Sequence, residues 1–258
     1  MIQRYVNRFI TKSLVNDQSL MLRGWEKSEE EIFLIENSPG GWSIDKDLSE
    51  VLLCLVREFK LSSIVEIGAG YSTLILNYAQ SRFSPDCSKV YSIEENVDWF
   101  KVPEKLKSVL KDFSFNLLSS RLRFKFGYFG IYAKYLPLEN IRLDQVDMVV
   151  VDGPPYYFGR EGGLDELFDK LKPRSLIILD DAERYTEKCV IFKWLKVYHG
   201  LELVFYEESF GTKGLAILRV TKGLKRKFSV SAFILGFYQG MKRVLNYRNI
   251  RRKQLAVK

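Results

Sequence analysis

Two apolar runs of this sequence end in acid. VDMVVVD, residues 146–152, puts Asp152 at the end of the first, and SLIILDD, residues 175–181, puts Asp180 and Asp181 at the end of the second. Three carboxylates with no Cys or His among them are hard oxygen donors, a set that suits Mg2+, Mn2+ or Ca2+ rather than zinc. An ion held by them would bind a substrate hydroxyl, lower its pKa and align it for attack, joining Lewis-acid and template catalysis. A purely structural account competes: Asp152 bonded to the Gly-Pro turn that follows, Asp180 capping the next helix, Asp181 paired with Arg184. Arg160 and Arg184 stand near Tyr156, Tyr157 and Phe158, where they would grip an anionic or sugar substrate. Asp152, Asp181 and Arg160 are the candidate catalytic residues, and Asp152, Asp180 and Asp181 the candidate metal ligands. His199, the single histidine, precedes Gly200 at the end of a helical pattern and reads as a C-terminal cap. With no second histidine and no activated-serine motif, hydrolase triads have no support.

A second constellation is SSIVEIGAGYSTLIL, residues 62–76, an apolar strand that breaks at Gly68 and Gly70 and re-enters helix. Such a turn lets backbone N–H groups approach a ligand at the carboxyl end of a strand. A dinucleotide fold wants a third glycine where Thr73 stands, and a carboxylate at Glu66 would repel a pyrophosphate while accepting bonds from a cationic, amino-acid-like ligand. Glu94, at the end of the next strand in VYSIEEN, is placed to accept two ribose hydroxyls, with Glu95 as the alternative.

Helix and strand patterns take turns from Leu48 to Thr221, which positions these groups along one edge of a sheet. SEVLLCLVREF, YSTLILNYAQSR, VPEKLKSVLKDF and GLDELFDKL read as helices, while SSIVEIG, KVYSIEE, RLRFKFG, VDMVVVDG and SLIILDD read as strands. Unbroken apolar strands imply a sheet covered on both faces. KCVIFKWLKVY then reads as a helix, and LELVFYEES and GLAILRVTK as a hairpin that closes the sheet with an antiparallel strand. The expected architecture is α/β, a doubly wound, mostly parallel sheet flanked by N- and C-terminal helices. Residues 1–47 form a helical segment and a lid loop containing Trp42 and Ser43, residues 48–222 the main domain, and residues 223–258 a basic amphipathic helix. There is no internal repeat and no low-complexity tract.

The pattern E-x-G-x-G-x-S, Glu66 to Ser72, resembles motif I of the class I S-adenosylmethionine-dependent methyltransferases, whose fold is Rossmann-like. The resemblance implies that S-adenosylmethionine is the cofactor, its methionine part held at Glu66, Gly68, Ala69, Gly70, Ser72 and Thr73. Glu94, or Glu95 beside it, would take the ribose, Asn96 or Val97 the adenine, and Asp152 would border the same pocket. The third strand, read as FKFGYFG, lacks the polar residue that many members place near the adenine amine. The acid clusters are similar to those of metal-dependent O-methyltransferases of the catechol and saccharide types, which implies Asp152, Asp180 and Asp181 as ligands of Mg2+, Mn2+ or Ca2+. Pro155 stands where the catechol type has a lysine base, leaving Asp181, Glu183 and Tyr156 as candidate proton acceptors. DGPPYYFGR followed by DDAER looks like polysaccharide-directed enzymes such as the glucuronoxylan methyltransferases, which favours a saccharide or other small polyol as acceptor. The implied function is O-methylation of a hydroxyl with divalent-cation assistance; the alternative is a catalytically inactive adaptor of the same fold at a membrane surface.

The chain has 258 residues and 47% hydrophobic content, enough for one full α/β domain with additions. Cys54, Cys87 and Cys189 form no CxxC pair, so neither a disulfide framework nor a zinc site is suggested, and a cytoplasmic setting is expected. No segment reaches the roughly 18 apolar residues of a spanning helix. The net charge of +8 is uneven: residues 222–258 hold eleven Lys and Arg and no acid, which leaves the first 221 residues at −3. The stripe Val230, Phe233, Ile234, Phe237, Tyr238, Met241, Val244, Leu245 makes this tail amphipathic. It reads either as a helix docked on the body or a second subunit, or as a peripheral contact with the anionic inner face of a membrane, at about 1 kcal/mol per basic residue. No nucleic-acid partner is expected, because the aromatics lie on the apolar face. A homo-oligomer is left open.

Overall fold

The computed structural model describes residues 2–15, 17, 25–84, 89–111, 113–135, 144–155 and 157–256. Helices α1 (Ile2–Ser13), α2 (Glu29–Glu36) and α3 (Lys46–Phe59) precede the first strand, β1 (Ser63–Ile67), which feeds α4 (Tyr71–Phe83). Then come β2 (Lys89–Glu94), β3 (Asn116–Ser119), a hairpin of β4 (Leu122–Gly127) and β5 (Gly130–Tyr135), and β6 (Val146–Val151). The chain ends with β7 (Leu171–Asp180), α5 (Tyr185–Val197), β8 (Tyr198–Glu207), β9 (Leu215–Arg226) and α6 (Val230–Ala256).

Seven strands form one sheet in the order β3-β2-β1-β6-β7-β9-β8. The first five are parallel, and β9 inserts antiparallel between β7 and β8. The doubly wound, mostly parallel expectation therefore holds. Because successive residues of a strand point to opposite faces, the apolar run of β6 splits between two cores. Val149 and Val151 join Ile67, Ile177 and the α5 residues Val190 and Trp194 on one side. Met148 and Val150 join Ile64, Ile178, Leu52 of α3 and Ile75 of α4 on the other. This two-sided burial is why these strands carry no alternating polar residues.

Three expected elements differ. RLRFKFG is a strand, but it pairs within the β4–β5 hairpin, and the strand that follows β2 in the sheet is NLLS at β3. Alternating Leu122, Phe124 and Phe126 signals a strand without naming its partner. VPEKLKSVLKDF forms one 3₁₀ turn, Glu104–Leu106, followed by turns, rather than a full helix. GLDELFDKL becomes two 3₁₀ turns, Glu161–Leu164 and Phe168–Lys170. There, Gly162 and Gly163 weaken helix propagation, and the Glu161 carbonyl accepts from Trp194 Nε1 at 3.0 Å instead of from a helical N–H. His199 is exposed and is the second residue of β8, while Tyr198 is the C-cap of α5.

Asp45 fixes the loop joining the N-terminal helices to the domain. Its carboxylate caps α3 at Leu48 N (3.0 Å) and accepts Thr212 N (2.8 Å) and Thr212 Oγ1 (2.9 Å) from the β8–β9 loop. The loops carrying Trp42 and Lys213 are thereby held at the edge where the parallel strands end.

Candidate active site

The turn after β1 is built on a close crossing with the turn after β6. Gly68 has φ +96°, and a side chain there would place its Cβ 2.8 Å from Gly153 N. Only glycine fits that conformation and that spacing. Gly68 N donates to Ile93 O (2.8 Å) and Asp152 N to Ile67 O (2.9 Å), so β2, β1 and β6 end in register around the crossing. Gly70 opens α4, and a Cβ there would meet nothing within 4 Å, so the helix N-terminus faces open space.

Glu66 lies beneath this turn, fully buried, rather than on the cavity wall. Its carboxylate accepts from Thr73 Oγ1 (2.6 Å) and Ser92 Oγ, while Thr73 Oγ1 accepts from Gly70 N (3.0 Å). Thr73 thus occupies the place of a third glycine and uses its hydroxyl as a strut. Burial pushes the Glu66 carboxyl up to about 7, against the bonds from Ser72, Ser92 and Thr73. Its Oε1 has no donor within the protein.

Gly68, Ala69, Glu94, Asp152, Gly153 and Arg160 border a cavity of about 520 Å3, with Asp181, Arg184 and Lys213 on its acidic side and Trp42, Pro155 and Tyr157 at other walls. Glu94 Oε1 is held by Glu95 N (2.8 Å) and Asn96 N (3.1 Å), which fixes the acid at the end of β2. Glu95 is exposed and off the cavity lining, so of the two acids Glu94 is the one the geometry brings to the site. Tyr156 lies outside the described residues.

Asp152, Asp180 and Asp181 come together as the sequence implies: each offers an oxygen within 4.8 Å of the others. Asp180 does not cap α5, whose N-cap is Arg184; its Oδ1 accepts from Asp181 N at 2.8 Å. Asp181, at φ +60°, turns the chain so that consecutive acids both face inward. Arg160 is no surface grip. It is buried, and its Nη2 donates to Asp152 Oδ1 (2.9 Å) and Asp181 Oδ2 (2.8 Å), its Nη1 to Asp180 O (2.9 Å). Arg184 Nη1 also reaches Asp181 Oδ2 at 2.7 Å, and Lys213 Nζ lies 3.5 Å from Asp180 Oδ2. Burial raises the Asp152 and Asp180 carboxyls above the ordinary carboxylate range; Arg160 opposes the rise at Asp152, and the neighbouring acids add to it at Asp180.

Two members of this site escaped the sequence reading. Lys213 sits in FGTKG, which reads as a hairpin turn; its signal was that a β8 parallel to β7 returns this loop to the ligand edge. Glu187, buried on α5, points Oε1 to within 3.9 Å of Arg160 Nε, and nothing in YTEKC distinguishes it from a solvated helix acid.

Residues 65–182 match the family model described as a methyltransferase domain. The fold is shared with the O-methyltransferase TomG from Streptomyces achromogenes, involved in tomaymycin synthesis and solved with SAM. The TM-score is 0.51 at 16% identity, covering 86% of this chain and 99% of that one. An O-methyltransferase from Bacillus cereus, in complex with SAH, aligns at TM-score 0.50 and 16% identity over 82% of this chain and 100% of its own. An SAH-bound methyltransferase from Podospora anserina aligns at TM-score 0.50 and 14% identity over 85% and 95%. No curated protein sequence matches the chain. Over residues 65–182 the chain is thus similar to that methyltransferase domain, and its Gly68 turn and strand order give it the fold of these solved methyltransferases.

Proposed function

We propose that the protein is a class I S-adenosylmethionine-dependent methyltransferase and that it methylates a hydroxyl oxygen of a saccharide or other small polyol. One observation carries the reading: the glycine turn, Glu94 and the Asp152 and Asp181 carboxylates bridged by Arg160 border a single cavity, with the Asp180 carboxylate within 4.8 Å of both acids. The bound cofactor supplies an electrophilic methyl group on a sulfonium. The chain's own part is to hold it by the Gly68–Gly70 turn and the Glu94 carboxylate, and to keep the acceptor oxygen within reach of the acids. A carboxylate oxygen of Asp152, Asp180 or Asp181 takes the hydroxyl proton as the oxygen becomes a nucleophile. Arg160 keeps Asp152 and Asp181 oriented for this. Trp42, 86% exposed, and Tyr157 offer aromatic faces against which the C–H face of a sugar ring packs.

The residues also fit a divalent cation. The donors are hard carboxylates, and Asp180 Oδ2 and Asp181 Oδ1 are buried without a hydrogen-bond donor. Asp152, Asp180 and Asp181 would hold the ion, which supplies Lewis acidity toward the acceptor hydroxyl. Arg160, Arg184 and Lys213 already offset much of the acids' charge, so the ion assists a site that holds together by itself.

Calorimetry with S-adenosylmethionine and its demethylated product tests the cofactor pocket; absence of binding at micromolar concentration sinks the enzymatic reading. Methyl transfer assayed across simple saccharides, polyols and catechols tests the acceptor class, and turnover confined to catechols would reject it. Activity that survives EDTA would remove the cation from the mechanism.

A further inference from the structure

Helix α6 is docked on the body, yet it leaves a continuous apolar face unused. Its inner side carries Ala232, Gly236, Gln239 and Arg243 at intervals of three and four. Gly236 and Gly240 let the helix lie directly on the backbone of Phe129 and Ile131. Arg243 Nη1 donates to Glu161 Oε1 (2.7 Å) and Oε2 (2.8 Å), and Lys193 Nζ, itself buried, donates to Gln239 Oε1 (2.6 Å). These buried bonds make docking a fixed feature of the fold.

On the opposite side, Val230, Ile234, Tyr238, Met241 and Leu245 repeat at four, four, three and four residues, a single stripe. Ile234 is 62% exposed, Tyr238 58% and Leu245 53%. Phe126 of the hairpin, itself exposed, extends the stripe by edge contacts with Phe233 and Phe237, and Phe228 does so through Phe233. A docked helix should turn polar residues outward, and an apolar patch of this extent on a soluble protein marks an interaction surface.

We propose that this face binds an anionic membrane surface. Charge decides between occupants. From Lys222 to the C-terminus there are eleven basic residues and no acid; Lys222, Lys225, Lys227 and Lys242 are exposed, and Lys242 lies over the stripe residue Tyr238. Arg226 and Arg243 pair with Asp165 and Glu161, and two copies of the face would bring the other basic residues together, whereas an anionic bilayer is complementary to them, and apolar residues flanked by Lys and Arg are what the interface of such a bilayer accepts. Each exposed basic residue adds roughly fivefold to the partitioning. None of the helices among the described residues is long and apolar enough to cross a membrane, so the contact is peripheral. The inference is independent of the acceptor and of the cation.

Deleting α6 would strip Arg243 from Glu161 and Gln239 from Lys193 in the interior, so the test uses the full chain with Ile234→Glu and Leu245→Glu together. Both positions are exposed, and thermal melting and calorimetry with the demethylated cofactor should be unchanged. The wild type should float with phosphatidylcholine vesicles containing phosphatidylserine and not with phosphatidylcholine alone. The double variant should lose about tenfold or more of that recovery. No flotation with the serine lipid, or equal flotation of the variant, overturns the proposal. So does a wild-type dimer in light scattering that the variant converts to monomer, which would give the face to a second copy.

Discussion

Replacing Glu161 by Gln should destabilise the protein more than removing either of its cationic partners. Glu161 is buried, accepts two bonds from Arg243 Nη1, and is also held by Lys193 Nζ, so the cluster is one anion between two cations. Lys193→Met or Arg243→Met each leaves one balanced pair, at a cost of about 1–3 kcal/mol in charge-assisted bonds. Glu161→Gln leaves two cations facing each other in the interior, for which about 3–5 kcal/mol is expected. The carboxyl gives a second route to that figure. Burial pushes its pKa up, but Arg243 and Lys193 outweigh burial and hold it at about 2 against an ordinary 4.5. At about 1.4 kcal/mol per pKa unit, the ionised carboxylate contributes roughly 3 kcal/mol. Because the folded pKa is the lower one, this stability is complete above the unfolded value of 4.5 and is lost as pH falls toward about 2. Urea unfolding of the wild type and the three variants between about pH 7 and pH 3 reads the effect directly. The gap between wild type and Glu161→Gln should be widest at neutral pH and narrow in acid. Equal losses for Glu161→Gln and Lys193→Met, or a gap that does not change with pH, would refute the charge count.

Gly68→Ala should cost roughly 2–5 kcal/mol by urea unfolding, since its Cβ would lie 2.8 Å from Gly153 N at φ +96°. Any folded fraction should bind the demethylated cofactor more weakly by calorimetry. Arg160→Met removes the guanidinium between Asp152 and Asp181 and should lower stability by about 3–5 kcal/mol. Added MgCl2 should raise the melting temperature of that variant more than that of the wild type, and equal responses would count against a cation site at these acids. Trp42→Ala, at an exposed position on the cavity wall, should leave melting unchanged and raise the acceptor KM with little change in cofactor affinity.

The sheet was legible because burial on both faces writes itself into β1, β6 and β7 as unbroken apolar runs, and the ligand edge because Gly68, Glu94, Asp152 and Asp180 each terminate such a run. Helix patterns were less faithful. GLDELFDKL has the spacing of a helix, but Glu161 is drawn into the interior by two cations distant in sequence, a pull that local periodicity does not record. Glu66 shows the same limit at the site. Its position before the glycines marks it as a pocket residue, yet the structure uses it through Thr73 as a support for the turn. Lys213 and Glu187 reach Asp180 and Arg160 only through tertiary packing, so no motif announces them.

Arg160 changes what the acid cluster means. Three carboxylates at two strand ends look like a cation site in need of an ion, because mutual repulsion would otherwise drive them apart. Here a buried guanidinium binds one oxygen each of Asp152 and Asp181 and the carbonyl of Asp180, while Arg184 and Lys213 attend the outer side. The acids are therefore assembled before any ion arrives, and an ion would share Asp152 and Asp181 with Arg160. The oxygens left to it are those without donors, Asp180 Oδ2 and Asp181 Oδ1. Dependence of catalysis on a divalent cation should then follow the Arg160 contacts more than the number of acids: weakening the guanidinium bridge should tighten Mg2+ binding, and preserving it should favour turnover with little metal. Arg160→Lys distinguishes the two. A point charge without the fork cannot bridge both acids, so this variant should bind Mg2+ more tightly in calorimetry than the wild type, and unchanged affinity would show that the bridge and the ion do not compete.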